Sequence, residues 1–172
     1  MSDVLQTIKT RRSIRKFKAD QITKEQLEAI VTAGLYAPSA KNTQNWQLTV
    51  VQGEEKLELL RAAIAEEIGV PNYPRFYNAP TLIFVSTPKD YDFGPYDSSL
   101  VLENIFLEAN ALGVGSVWIN QLLNIGDKPS VRKVLSQLKL PENHKVWGIA
   151  ALGYADGEVN TDRVNKGVVV YA

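Results

Sequence analysis

The sequence predicts an α+β fold, a sheet flanked by helices, from three observations. A chain of 172 residues with 45% apolar side chains has the size of one domain and can fill a sizeable core. Segments with helical spacing interleave with four or five strand-like runs. Strict strand–helix–strand alternation, the mark of a doubly wound sheet, is poor near the N-terminus. No repeat, low-complexity tract or linker divides the chain, so residues 1–172 read as a single domain.

Val4, Leu5 and Ile8 indicate a short first helix, followed by a cationic stretch in a turn or short extended piece. Thr23 with Gln26 forms a capping-box signature opening a second helix, along which Leu27, Ile30, Val31 and Leu35 recur at helical spacing. Residues 34–45 read as loop, 46–51 as a strand, and 54–68 as an amphipathic helix with acids near its N-terminus. Pro71 and Pro74 mark the next loop. The run 79–85, APTLIFV, is continuously apolar, as in a strand buried on both faces, and is the expected sheet centre.

Asp97 is placed as the cap of a helix running to Leu112, apolar around most of its circumference and so covered on most sides, a subunit interface being an attractive cover. Gly113 ends it; residues 115–119 suit a strand, 129–138 a helix and 146–152 another buried strand. Residues 156–166 are polar, whereas 168–171 are strand-like and must pair with something.

The 19 basic and 19 acidic residues cancel, which excludes a protein that coats polyanions through its overall charge. The balance is uneven: residues 9–18 hold six cations and no acid, leaving 13 bases against 19 acids elsewhere. The absence of cysteine excludes disulfides, zinc-thiolate sites and thiol nucleophiles, and fits a reducing compartment. MSDVLQTIKT contains no apolar signal core. The longest apolar stretch, 100–112, is interrupted by Glu103, Asn104, Glu108 and Asn110 and is shorter than the roughly 20 residues of a spanning helix. A soluble, cytoplasmic protein is expected.

His144, following Pro141 in a predicted loop, reads as a surface histidine, and neither H-x-x-x-H nor D-x-D-x-D-G spacing occurs. Gly115-Ser116 lacks the G-x-S-x-G pattern and a base. Residues 113–118, GVGSVW, begin like a dinucleotide fingerprint, but Trp118 replaces the third glycine and the motif ends a helix instead of opening one. Two segments remain. Arg11-Arg12-Ser13-Ile14-Arg15 puts three guanidinium groups and a hydroxyl within five residues, a set able to grip a phosphate; Ile14 and Phe17 anchor it against the reading of a merely solvated turn. Residues 37–46 form an irregular loop rich in amides and hydroxyls, suited to a polar planar ligand or to an ordinary capped turn. With no acid, base or nucleophile set beside them, a bound cofactor is expected to supply the reactivity.

The motif Arg11-Arg12-Ser13-Ile14-Arg15-Lys16-Phe17, followed by Pro38-Ser39-x-x-Asn42-x-Gln44-x-Trp46, resembles the two opening motifs of the FMN-dependent nitroreductase family. The segments 76–83, 104–119 and Gly153-Tyr154 extend the likeness over nearly the whole chain. The resemblance implies an intertwined α+β homodimer with a central, mainly antiparallel sheet and two FMN molecules at the subunit interface, each held by both chains. Residues 155–172 would then pack on the partner, which would account for the unpaired strand and the over-apolar helix. Carried over, Arg11 and Ser13 hold the FMN phosphate with Arg12 beside them, and Arg15 approaches the N1 and C2 carbonyl edge. Pro38, Ser39, Ala40 and Asn42 of the partner chain line the ring and ribityl side. Ile119, Asn120 and Gln121 meet the flavin near N5, with the Asn120 N–H as the N5 contact. Arg163, or next Lys166, completes the phosphate site, and Lys9, Lys16 and Lys18 are left to solvent.

Two departures from the family pattern stand out. Asn45 replaces the proline many relatives place before the tryptophan, loosening the loop. The short stretch 68–76 lacks the lysine that longer members hold near the flavin pyrimidine; Tyr73, Arg75, Tyr91, Phe93 and Tyr96 either line a substrate pocket or simply pack. The implied activity is ping-pong electron transfer from NAD(P)H through flavin to a nitroaromatic, quinone or similar small acceptor, with no catalytic protein acid or base. A flavin carrier or sensor and a dehalogenating or flavin-destroying relative are the alternatives. A nucleic-acid module built on residues 9–18 is disfavoured because no aromatic stacking platform accompanies the cations.

Overall fold

In the computed structural model, which describes residues 2–74 and 76–172, four strands form one antiparallel sheet. They are β1 (Gln47–Gln52), β2 (Thr81–Pro88), β3 (Gly115–Ile119) and β4 (His144–Gly153), in the order β1-β2-β4-β3. Helices α1 (Asp3–Thr10) and α2 (Lys24–Leu35) come first; α3 (Glu54–Ile68) links β1 to β2, α4 (Gly94–Ala111) links β2 to β3, and α5 (Leu122–Ile125) and α6 (Pro129–Gln137) link β3 to β4. The α+β expectation holds.

The two central strands explain why the sheet is covered twice. Alternate residues of a strand face opposite sides. Leu82 and Phe84 of β2 enter the core formed with α3 and α6, whereas Ile83 and Val85 enter the core formed with α2 and α4. Ile149 and Ala151 of β4 follow the first pair, Ala150 and Leu152 the second. A continuous apolar run is usual for parallel sheets, but helices on both faces impose it here on antiparallel strands.

Local signals set most helix ends. Thr23 Oγ1 accepts from Gln26 N at 3.2 Å, and Thr23 N donates to Gln26 Oε1 at 3.0 Å, closing the expected capping box. Gly113, at φ 72°, ends α4 in the left-handed conformation that costs glycine nothing. Most of the α4 circumference is covered within the chain: Val101, Leu102, Ile105, Phe106 and Ala109 are buried against α2 and the sheet, leaving Leu100 exposed.

Three expectations change. Asp97 does not cap α4. The helix starts at Gly94 with Pro95 in its first turn, and Asp97, its fourth residue, is buried. Gly94 allows that start, since a Cβ there would lie 2.5 Å from Thr87 Oγ1 and 2.7 Å from Trp147 Nε1. His144 is not on a surface loop: β4 begins at it, opposite Pro88, and its Nδ1 lies 3.1 Å from Ser86 Oγ. Residues 168–171 form no strand with the described residues of this chain, and Tyr171 is 94% exposed.

Burial, reinforced by the charge of Arg132, holds the His144 pKa below its ordinary value. The unfolded chain therefore takes up a proton near pH 6.5 that the folded chain refuses until lower pH. Stability present above that pH is lost as pH falls from about 6.5 through the folded pKa. The urea midpoint of the wild type is expected to drop further between about pH 7.5 and 5.5 than that of His144→Gln, which has no imidazole to titrate.

Candidate functional site

The cationic segment leaves α1 and runs along the outer edge of β3. Ile14 N donates to Ser116 O at 2.9 Å, and Ser13 pairs with Ser116 in a parallel bridge. Lys18 N donates to Tyr154 O at 2.9 Å, Asp156 N to Lys16 O at 3.0 Å, and Phe17 pairs with Ala155. Phe17 is 5% exposed in the core, and Ile14 packs on the same cluster. The backbone is thus held on both sides while Ser13 and Arg15 stay exposed and Arg11 half-buried. Within the described residues, the Arg11 and Arg15 side chains form no hydrogen bond or ion pair.

Arg12 behaves differently. Its Nη1 donates to Lys9 O at 2.7 Å and Arg11 O at 2.6 Å, closing the last turn of α1, where exposed carbonyls favour a cation. Its buried Nε has no partner among the described residues. Lys16, expected in solvent, pairs with Asp156 at 2.7 Å and lowers the pKa of that carboxyl. Arg163 lines a cleft of about 530 Å³ together with Leu5, Ile8, Lys9 and Arg12, so the chain itself brings it to the cationic segment. Ser13 and Arg15 line a smaller cleft of about 200 Å³ with residues 155–160.

The far end of β3 carries the second group. Ile119 is buried, Asn120 exposed and Gln121 half-buried, about 10 Å along the strand from Ser116. All three line a cleft of about 400 Å³ with Tyr73, Phe76 and Tyr77. Phe76, Tyr77 and Asn78 have φ values of 47°, 59° and 62°, three successive non-glycine residues in the left-handed region. Such backbone persists only where the surroundings hold it, and it concentrates at functional sites. Tyr77 was not singled out by the sequence; an adjacent Asn is its only local signal. Tyr73 packs edge-on against Phe76, and burial, then Tyr77, raises its phenol pKa. Arg75 lies outside the described residues.

The amide-rich loop is built around Asp97. Ala40 N lies 3.1 and 3.3 Å from the two Asp97 carboxylate oxygens, and Tyr91 OH donates to Oδ2 at 2.7 Å. Thr43 Oγ1 sits 2.7 Å from Tyr91 OH. Ser39 Oγ accepts from Gln44 N at 3.0 Å, and Asn42 Oδ1 accepts from Gln44 Nε2 at 2.9 Å. Pro38 and Asn42 are exposed and line a cleft of about 470 Å³ with Leu35 and Tyr36. The bond to Asp97 raises the Tyr91 pKa, against the opposing effect of Thr43. Tyr91 and Asp97 therefore organise the loop, while Phe93 and Tyr96 remain exposed.

Helix α4 separates the loop from the cationic segment. Asp97 holds the loop near its start, and Asn110, thirteen residues on, donates to Thr7 O at 3.0 Å and Thr10 Oγ1 at 2.9 Å in α1. That is about 20 Å of helix. Within one chain the two segments expected to share a ligand sit at opposite ends of α4. Among the described residues there is no cluster of His, Asp or Glu able to hold a metal ion.

The nitroreductase family model matches residues 8–154. A protein of Archaeoglobus fulgidus named NADH dehydrogenase/NAD(P)H nitroreductase is 34% identical, over 96% of this chain and 98% of its own length. An NADPH-flavin oxidoreductase of Vibrio harveyi is 32% identical, over 91% of this chain and 67% of its own. A nitroreductase of Bacteroides fragilis, solved with bound FMN, superposes with a TM-score of 0.93 and 36% identity over 100% of both chains. Edge-pinned cations, the β3 terminus and the full-length agreement in fold converge on one assignment: the chain belongs to the nitroreductase family.

Proposed function

We propose that the chain is an FMN-dependent oxidoreductase that takes electrons from NAD(P)H and delivers them to a nitroaromatic, quinone or similar small acceptor. The observation that carries this reading is the cationic segment pinned to β3, with Arg11 and Arg15 uncommitted among the described residues. The residues fit a flavin phosphate: two free guanidinium groups, the Ser13 hydroxyl and the unpartnered Arg12 Nε, with Arg163 lining the adjoining cleft. The bound FMN of the Bacteroides fragilis protein and the name of the Vibrio harveyi relative support the same cofactor and reductant.

When bound, FMN supplies hydride acceptance at N5 and onward electron transfer. Arg11 and Ser13 would hold its phosphate, and Arg15 would set a positive charge beside the flavin ring, where it would favour the reduced, anionic form. The Asn120 N–H would be the donor facing the flavin N5. Pro38, Ser39, Ala40 and Asn42 of the partner chain would line the ring and ribityl side, and Ile119 and Gln121 would meet the flavin near N5 with Asn120; donor and acceptor would use the same face in turn, which makes the kinetics ping-pong.

The working unit in this reading is a homodimer. One ligand held closely by both the loop and the cationic segment, about 20 Å apart along α4, is served by two chains. The exposed Val4, Leu5 and Ile8 of α1 and Val168, Val169, Val170 and Tyr171 of the tail supply apolar surface for that assembly. The single domain spans 1–172; of the tail expected on the partner, residues 155–163 are held against the cationic segment and α1 of their own chain, and the exposed residues 164–172 pack on the partner. Neither nucleic acid nor a membrane is a partner; no helix among the described residues is long and apolar enough to cross one. A cytoplasmic location fits the cysteine-free composition.

Protein reconstituted with FMN is expected to run as a dimer, retain close to one flavin per chain and lose its yellow colour anaerobically with NAD(P)H. Added nitroaromatic or quinone restores the colour, and steady-state lines at varied donor are parallel. No flavin retention, or no NAD(P)H oxidation, defeats the proposal. Retention without bleaching identifies a carrier or sensor.

A further inference from the structure

We infer that Asp97 and Tyr91 are positioning residues that clamp the loop over residues 39–44 in the conformation that meets the flavin. The inference rests on the flavin reading above and adds residues that no motif of the sequence assigned to the site.

The loop does not hold this shape by itself. Lys41, Asn42 and Gln44 have φ values of 54°, 54° and 50°, and no glycine lies between Pro38 and Trp46 to relieve them. Non-glycine residues stay in that region only when their surroundings over-determine it. Bonds within the loop, Gln44 N to Ser39 Oγ and Thr43 Oγ1 to Ala40 O, tie it to itself, and one buried carboxylate ties it to the body of the protein. Asp97 is 3% exposed inside α4, and a buried charge requires hydrogen-bonded partners. It accepts from Ala40 N at the start of the loop and from Tyr91 OH, which in turn reaches Thr43 near its end.

The proton count orients this chain of contacts. An ionised carboxylate only accepts, so the single phenolic proton of Tyr91 goes to Asp97. Thr43 Oγ1 has one proton, for which Tyr91 OH at 2.7 Å and Ala40 O at 3.1 Å compete. Tyr91 donates to Asp97 with Thr43 Oγ1 against its phenol oxygen, and Ala40 N–H arrives from the other side. Both ends of the strained segment are drawn to the same buried group. Removing the phenol cuts the Thr43 end off from Asp97, while the Thr43–Ala40 bonds, the Ala40 tie and the buried carboxylate remain.

The test uses FMN-reconstituted dimers of the wild type, Tyr91→Phe, Thr43→Val, the double variant and Thr43→Ser. Both single variants are expected to bind FMN roughly 10-fold more weakly, the scale of one lost charge-assisted contact or its relay. The visible circular dichroism of the bound flavin changes and the acceptor KM rises, while far-ultraviolet dichroism is unchanged. The double variant is no worse than Thr43→Val alone, which already loses the Tyr91 contact together with the Thr43–Ala40 bond. Thr43→Ser, which restores the hydroxyl, recovers the affinity lost in Thr43→Val. Singles with wild-type FMN affinity, flavin dichroism and KM overturn the clamp alone, as do losses that simply add. Wild-type protein that takes up no FMN overturns the clamp and the flavin reading together.

Discussion

Arg11→Ala is expected to weaken FMN binding by on the order of 10- to 100-fold, with little change in thermal stability of the FMN-free protein. Charge-assisted hydrogen bonds contribute roughly 1.5–3 kcal/mol, and each 1.4 kcal/mol is about tenfold in affinity. The Arg11 side chain has no partner among the described residues, so its loss removes ligand contacts without orphaning a protein group. Arg11→Lys recovers only part of the loss, since an ammonium cannot reproduce the planar two-pronged donor. Arg12→Ala supplies the contrast. Its Nη1 closes the carbonyl end of α1, so that substitution lowers stability as well as affinity. Quenching of flavin fluorescence on titration, paired with melting of the FMN-free protein, separates the two. Equal affinity for wild type and Arg11→Ala would remove Arg11 from the phosphate site.

Phe84→Ala is expected to destabilise the fold by about 3–5 kcal/mol, a large part of the roughly 5–15 kcal/mol that holds a domain together. Phe84 is fully buried in β2, between β1 and β4, and faces the core shared with α3 and α6. Rigid neighbours on both sides of the strand prevent collapse around the lost ring, which puts the cost in the cavity-forming range. For a chain of this size the melting temperature falls by roughly 6–20 °C, measured on the FMN-free protein at fixed concentration. A drop of only a degree or two would mean that the sheet centre repacks freely.

Features legible in the sequence are those whose signals lie within a few residues. The capping box of Thr23 and Gln26, the bounds of α3 and β3, the Gly113 stop and the two-faced burial of β2 all come from local spacing. The anchoring of the cationic segment by Ile14 and Phe17 was legible for the same reason. Its actual tether, the backbone bonds to Ser116 and Tyr154, joins residues about a hundred or more positions apart. Asp97 was misplaced as a cap because an aspartate before an apolar run has that appearance; its partner Ala40 is 57 residues away. His144 looked like loop because Pro141 precedes it, but pairing with Pro88 extends β4 to reach it.

The sequence by itself determined the α+β class, the cationic segment with its apolar anchors and the family, because composition, periodicity and motif order survive without coordinates. Only the tertiary structure decided what each group is free to do. Arg12 Nη1 is occupied by carbonyls at the end of α1, Lys16 by Asp156, and Asp97 by the loop it holds, whereas Arg11 and Arg15 stay uncommitted among the described residues. The reason is physical: a side chain's type sets which hydrogen bonds and charges it can offer. Whether a ligand receives them depends on which backbone and side-chain groups the fold has already brought within reach.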